Sequence, residues 1–271
     1  MPGASDLYIR ARGILLDALE ALEQHRGAVV LVGAQAIYIH TGEADVAVEP
    51  YTKDADMALD PRTLSSSPRI EIVMRDRGFS PTKEPGRWIK DEIPVDLMVP
   101  EALAGPGTRG ADLGEHGRKV ARRARGLEGA LVDRRVWEIP SLDGNDTRVF
   151  QVAVAGPGAL LVAKLHKIAE RVGKPDRLQD KDALDVLRLL RRIESVRLVD
   201  RLMSLAKDDL ARETTTQAML YLRDLFGSRG GKGALLAARA LEGLEDEATV
   251  TGSCEALVDE LVRAGLEIPS S

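Results

Sequence analysis

The sequence predicts an α+β (mixed α/β) fold in two parts, a mixed-sheet domain over residues 1–155 and a helical domain over residues 156–271. Three observations carry this expectation. Helical periods alternate with short apolar runs through the first half, with brief links between them. One of those runs, 28–32, lies between Gly27 and Gly33 and has the length and composition of a buried strand. Beyond Gly156 nothing reads as a strand, and leucine-rich helical patterns fill the remainder.

Each element follows from its own residues. Leu7, Ile14, Leu15, Leu19 and Leu22 recur with a helical period over 7–24, and Gly27 ends that helix. A strand over 28–32 comes next, then Gly33, then a helix over 34–40 packed behind the strand. Residues 41–53, with Gly42 and Pro50, form a loop, and 54–60 is a second strand. Pro61 begins a helix over about 61–77. Gly78 and the segment 81–86 punctuate a hairpin, and 95–99 is a third strand. The stretch 104–117 holds five glycines and one proline and predicts a loop. Short strands are expected near 129–139 and 148–154. Helices are expected at 157–172, 180–192, 195–206, 209–226, 232–242 and 252–264, and no internal repeat is evident.

Composition bounds the function. The chain is 44% hydrophobic and 30% charged, enough to bury a genuine core in one or two domains. No apolar run approaches the roughly 18–20 residues needed to span a bilayer. The first residues lack the basic and apolar regions of a signal peptide. Cys254 is the single cysteine, which excludes an intramolecular disulfide and a multi-cysteine zinc site. A cytoplasmic protein with no membrane partner is therefore expected. A net charge of −5 argues against a polycation that coats nucleic acid, and nine aromatic residues are too few for a base-stacking platform. Any RNA contact would rest on phosphates and shape. Arg118, Lys119, Arg122, Arg123 and Arg125 are a candidate for such contact, although the general reading of this run is a solvated helix face.

The segment 52–60 is the most informative. Side chains alternate across a strand, so Asp54 and Asp56 share one face while Ala55, Met57 and Leu59 take the other. Two like charges about 7 Å apart on one strand face are unfavourable unless a cation lies between them. Magnesium suits this arrangement, since it binds through one or two carboxylates and leaves its other positions to water and phosphate oxygens. A solvent-facing turn carrying two unrelated acids is the bland alternative. Gly33 weighs against that alternative. Without a side chain it would let a triphosphate approach the backbone and the start of the helix at Ala34, whose N–H groups favour anions. Asp96 also weighs against it. Val95, Leu97 and Val99 share a face and leave Asp96 on the opposite one, where an aspartate in so apolar a strand needs a partner or a metal. Three carboxylates could then hold two metals that activate the attacking oxygen and stabilise a leaving pyrophosphate.

Gly33-Ala34, then Asp54-x-Asp56, then Asp96 on a later strand resembles the polymerase-beta-type nucleotidyltransferase superfamily. Downstream, Lys164-Leu165-His166-Lys167-Ile168, then Arg171, then the run from Lys181 to Leu187 is similar to the helical motifs of the AbiEii-like toxins, a family that includes the MenT nucleotidyltransferase toxins. The similarity covers roughly residues 28–190. It implies that residues 1–155 form the nucleotidyltransferase domain of a toxin from a toxin–antitoxin pair. Such a toxin adds nucleotides, often pyrimidines, to the 3′ end of tRNA and has a cognate antitoxin as partner. It further implies magnesium (or manganese) as cofactor and a nucleoside triphosphate as substrate. Asp54 and Asp56 would be metal ligands, and Asp96 the third carboxylate or the base for the attacking hydroxyl. Lys164 would contact the triphosphate, and Asp182 would be the acid of the last motif, with Asp185 orienting its neighbours. Gly33, Ala34, Lys53, Lys167 and Arg171 complete the expected nucleotide contacts. The family usually has serine where this chain has Ala34, which removes one phosphate contact, and the longer Gly33–Asp54 spacing implies an inserted loop over 42–51.

Read without the family, Lys164, Lys167 and Arg171 fall at i, i+3 and i+7 and form a positive stripe, opposite an apolar side marked by Leu161, Leu165 and Ile168. Such a stripe beside an acidic metal site would neutralise triphosphate charge. An ordinary amphipathic helix is the alternative, with Lys181–Asp182 and Asp185–Arg188 as surface pairs. His25, His40, His116 and His166 lack metal-binding spacing and read as structural or surface residues. No phosphate-binding loop of the Gly-x-x-x-x-Gly-Lys-Ser/Thr type exists, residues 227–233 read as a glycine-rich connector, and Cys254 reads as a buried structural thiol. Three functions stay open: nucleotide transfer to RNA, the same chemistry on a small molecule such as an aminoglycoside or on a protein hydroxyl, and a catalytically silent nucleotide-binding fold.

Overall fold

The computed structural model describes residues 6–42, 52–172 and 180–269. The expected loop insertion over 42–51 lies almost wholly outside the described residues. The first helix, α1 (Asp6–Ala21), is followed by a 3-10 turn over Glu23–Ala28 and strand β1 (Val29–Val32). Helix α2 (Gly33–Thr41) follows directly, then β2 (Ala55–Leu59), α3 (Ile70–Asp76), β3 (Ser80–Pro81), β4 (Arg87–Lys90), β5 (Ile93–Pro100), β6 (Arg122–Ala124), β7 (Arg134–Pro140) and β8 (Val149–Ala155). Only helices follow among the described residues: α4 (Pro157–Arg171), α5 (Asp180–Arg192), α6 (Ser195–Leu205), α7 (Arg212–Phe226), α8 (Lys232–Ala240) and α9 (Glu247–Arg263). The fold is the mixed α+β arrangement expected, an eight-stranded mixed sheet followed by a helical region. The change of character falls at Ala155–Gly156, and the buried apolar side chains run through it as one cluster.

The sheet order is β3-β4-β5-β2-β1-β8-β7, with β6 on β5 as well. Its centre, β5-β2-β1-β8, is fully apolar on one face, because Val95, Leu97, Met57, Leu59, Leu31 and Val154 are all buried there. α1 packs across β5, β2 and β8, and α2 lies between β1–β2 and the helices α4 and α5. Two strands share the outer edge of β5. β4 pairs antiparallel with its first half, and β6 pairs parallel with its last residues in the register Met98↔Arg122. Gly86 makes the handover possible. Its φ is +76°, and a Cβ there would stand 2.4 Å from both the Arg122 amide nitrogen and the Leu97 carbonyl oxygen.

Two expectations change here. The helix expected over 61–77 is confined to Ile70–Asp76. Asp60 instead folds back on Arg62, whose guanidinium donates to both its oxygens at 2.9 Å, and Pro68, which has no N–H, precedes the helix. The basic run 118–125 is not a helix face. Arg122–Ala124 is strand β6, and the pairing with β5 overrides a local pattern too short to define a period.

Candidate active site

The site forms where β1 passes into α2. Val32 is extended (φ −131°, ψ −168°), and Gly33 turns the chain with φ +70°, a region that side chains with a Cβ rarely adopt. A Cβ on Gly33 would stand 2.1 Å from Asp56 Oδ2, so the missing side chain is the space the carboxylate fills. Asp56 is the register partner of Val32 on one side and of Asp96 on the other. Residues directly opposite on neighbouring strands face the same way, which puts both carboxylates on one face of the sheet. Asp54 stands just before β2. The Thr52 hydroxyl donates to its Oδ1, and its carbonyl accepts from Gln35 Nε2 at 3.1 Å. Gln35 is fixed in turn by Arg12, whose Nε donates to Oε1 at 2.9 Å. This buried chain holds the start of the aspartate strand against α1 and α2.

Charge at this point is in excess. Burial pushes the Asp56 carboxyl up to about 6, and the charges of Asp54 and Asp96 add to the rise while Lys167 and Arg122 oppose it. Burial acts on Asp54 in the same sense. Its Thr52 hydrogen bond and the charges of Lys181, Lys167 and Lys164 outweigh it and hold that carboxyl below its ordinary value. Asp96 Oδ2 receives the Arg122 guanidinium at 3.4 Å, and its Oδ1 is buried without a hydrogen-bond partner.

A cavity of about 680 Å³ opens in front of Gly33 and Asp56, between the sheet edge and α4 and α7. Lys164, Lys167 and Arg171 line it from α4, and Arg122, Arg123 and Arg125 from β6 and the turn after it. Glu128 braces that turn, accepting from the Gly126 amide at 2.8 Å and from the Ala102 amide at 3.2 Å. Asp56 alone of the three strand acids reaches the cavity wall; Ala34 is buried, and Lys53 is exposed without lining the cavity.

The basic stripe on α4 exists, and its side chains are ion-paired with acids on α5. Lys164 is buried, and its ammonium donates to Asp182 Oδ1 at 2.7 Å and to Asp185 Oδ2 at 2.6 Å. Burial alone would lower its pKa, and the two carboxylates reverse that strongly. Asp182 also accepts from Lys167 at 2.9 Å and from Arg171 at 3.3 Å, and these cations hold it well below the carboxylate range against its burial. Lys164 and Asp182 are thus the centre of an interhelical ion-pair cluster between α4 and α5, with Lys164 also on the cavity wall. A charge removed from water needs this compensation, and acids 18 and 21 residues further along the chain supply it. Lys167 and Arg171 remain part-exposed at the cavity.

Several contributors were invisible in the sequence. Lys181 belongs to the run 181–187 that carries the family resemblance, with a surface pair to Asp182 as the alternative, and neither reading places it at the aspartates. Burial pushes its ammonium down, and the opposing fields of Asp185, Asp54 and Asp56 show that it lies near the aspartate strand. Thr52 and Gln35 carried no signal, because hydrogen bonds to a neighbour's backbone or side chain leave no periodic trace. The histidines keep their structural reading: His25, His40, His116 and His166 each bond a backbone carbonyl, at 2.8, 2.7, 2.7 and 2.8 Å. Cys254 is buried, which pushes its thiol up to about 11.

The donors suit a hard cation in part. Hard carboxylate oxygens, an unpartnered buried Asp96 Oδ1 and the mutual repulsion that raises Asp56 are all relieved by positive charge. The three carboxylates are not, however, gathered as a preformed set. Among the described residues no group of three or more His, Cys, Asp or Glu side chains is placed to hold a metal ion. Asp96 faces Arg122 instead. Likewise, no helix among the described residues is long and apolar enough to cross a membrane. No protein-family model, curated protein or solved structure matches the chain.

Proposed function

We propose that this protein is a magnesium-dependent nucleotidyltransferase that moves a nucleoside monophosphate from a nucleoside triphosphate to an acceptor hydroxyl, with the 3′ end of tRNA as acceptor. The observation that carries the reading is the contact of Gly33 with Asp56 at the mouth of a cation-lined cavity. A strand-to-helix turn without a side chain offers backbone N–H groups to phosphates, with a carboxylate beside them for the metal.

Asp54 and Asp56 would hold magnesium, with manganese as substitute, and the bound metal would activate the attacking oxygen and stabilise departing pyrophosphate. Gly33 lets Asp56 sit against the start of α2, where the cavity would receive the triphosphate. Lys167 and Arg171 neutralise its charge, and the Lys164–Asp182–Asp185 cluster fixes α4 so that they face the cavity. The acceptor oxygen attacks the α-phosphorus, the bond to the β-phosphate oxygen breaks, and pyrophosphate leaves. Asp96 takes the acceptor's proton. Arg122, Arg123 and Arg125 make the acceptor side of the cavity positive, which favours RNA over a cationic antibiotic. In the cell such an activity suits the toxin of a toxin–antitoxin pair, held in check by its antitoxin.

The test is transfer of label from each α-labelled nucleoside triphosphate to total bacterial RNA with magnesium, using Asp54→Ala/Asp56→Ala as control. Label on tRNA-sized RNA that depends on both aspartates supports the reading. Label transferred only to a small molecule or protein would replace the acceptor. No pyrophosphate release with any acceptor would leave a silent nucleotide-binding fold.

A further inference from the structure

Among the cavity arginines Arg122, Arg123 and Arg125, Arg122 is the one that also meets a strand acid, Asp96. Its backbone is fixed by β6, which pairs with β5 at Met98↔Arg122, and by Gly86, whose lack of a Cβ allows the Arg122 amide to approach. Its side chain is long, 37% exposed, and lines the cavity with Gly33 and Asp56. The guanidinium meets Asp96 through a single contact of 3.4 Å, not the two-pronged pairing that arginine and carboxylate can make. A part-exposed ion pair of this kind is weak and exchangeable. The other Asp96 oxygen is buried with no partner, so the carboxylate is only half satisfied by Arg122.

We propose that Arg122 is an exchangeable counter-ion, which neutralises Asp96 before metal and nucleotide bind and turns to the phosphate oxygens once they do. The inference rests on the nucleotidyltransferase reading. A divalent cation held by Asp54 and Asp56 repels the neighbouring guanidinium, loosens its single contact with Asp96 and leaves that carboxylate free to take the acceptor's proton. A triphosphate entering past Gly33 then offers the released arginine a stronger, two-pronged partner. One side chain therefore opposes metal binding alone and favours nucleotide binding, so the fully loaded site is reached together instead of by metal first.

The two roles predict effects of opposite sign in one variant. Manganese binding to the protein without nucleotide, read by loss of the free-ion electron paramagnetic resonance signal, should tighten about two- to fivefold in Arg122→Gln, the range for a part-exposed ion pair. Binding of ATP, CTP, GTP and UTP in magnesium, read by calorimetry for each in turn, should weaken about tenfold or more for those that bind the parent, from loss of a charge-assisted hydrogen bond. Arg122→Lys keeps the charge without the fork and disturbs β6 least. It should leave manganese affinity near that of the parent and weaken nucleotide binding by less. Weaker or unchanged manganese binding in Arg122→Gln, or unchanged nucleotide binding, overturns the inference. Asp56→Asn separates the two failures. If the parent binds manganese and Asp56→Asn does not, the site reading stands whatever Arg122 does; if the parent binds none, the site reading and the Arg122 role fall together.

Discussion

Replacing Asp56 with asparagine tests the electrostatic frustration of the site directly. The folded protein raises this carboxyl from 3.8 to about 6. At 1.36 kcal/mol for each tenfold change, keeping it ionised at neutral pH costs the fold about 3 kcal/mol. The sign follows from the direction of the rise. Below about pH 4 the group is neutral folded and unfolded, and it adds no penalty. Between about 4 and 6 the unfolded chain gives up the proton first, so stability contributed by this group is lost as pH rises, and above about 6 the loss is complete. Asparagine is nearly isosteric and uncharged, and its own hydrogen-bonding deficit does not change over this range. In EDTA, the stability of Asp56→Asn relative to the parent should therefore improve by about 3 kcal/mol between pH 4 and pH 7.5. Urea unfolding at both pH values measures that difference of differences. With saturating magnesium at pH 7.5 the parent should recover stability and the variant should not, because ligand that binds only the folded state stabilises it. A variant equally destabilised at both pH values, with no differential response to magnesium, would refute the claim that Asp56 is a strained acid waiting for a cation.

Other consequences are independent of that one. Lys164→Met leaves Asp182 and Asp185 buried without their shared ammonium and should cost about 3–5 kcal/mol in urea unfolding; a loss near zero would show that the cluster is dispensable. Gly33→Ala adds a Cβ 2.1 Å from Asp56 Oδ2 in a left-handed conformation, so it should destabilise by about 1–2 kcal/mol or more and abolish manganese binding; retention of both would remove Gly33 from the site. Cys254, with its thiol pushed up to about 11 in a buried helix, should react with a thiol reagent only after denaturant is added, and rapid native labelling would contradict its burial.

Much of the fold was legible along the chain. Helical period, strand alternation and turn residues are local properties. They were enough for the strands at 29–32, 55–59 and 93–100, for the change to helices after Ala155, and for five of the six helical segments beyond it to within about three residues. The last helix starts at Glu247, five residues before its expected position, where Asp246 caps it by accepting from the Thr249 amide. The face of Asp96 was legible too, since Val95, Leu97 and Val99 fix it by alternation. Two misreadings came from local patterns. Pro68 and the Asp60–Arg62 turn interrupt the segment before α3, and a three-residue strand such as β6 is too short to carry a period.

Sequence by itself therefore determined which residues could carry the chemistry: a glycine at a strand-to-helix turn, three strand acids and a run of basic residues on α4. Tertiary structure alone decided what each of them touches. Lys164 meets acids 18 and 21 residues away because α4 and α5 pack, Arg122 meets Asp96 because β6 adds to a distant strand edge, and Lys181 enters the field of Asp54 only when α5 docks. The reason is the range of the forces. Periodicity is written in neighbours three or four residues apart. The pairing of buried charges is settled by whichever opposite charge the packed chain brings within hydrogen-bond reach.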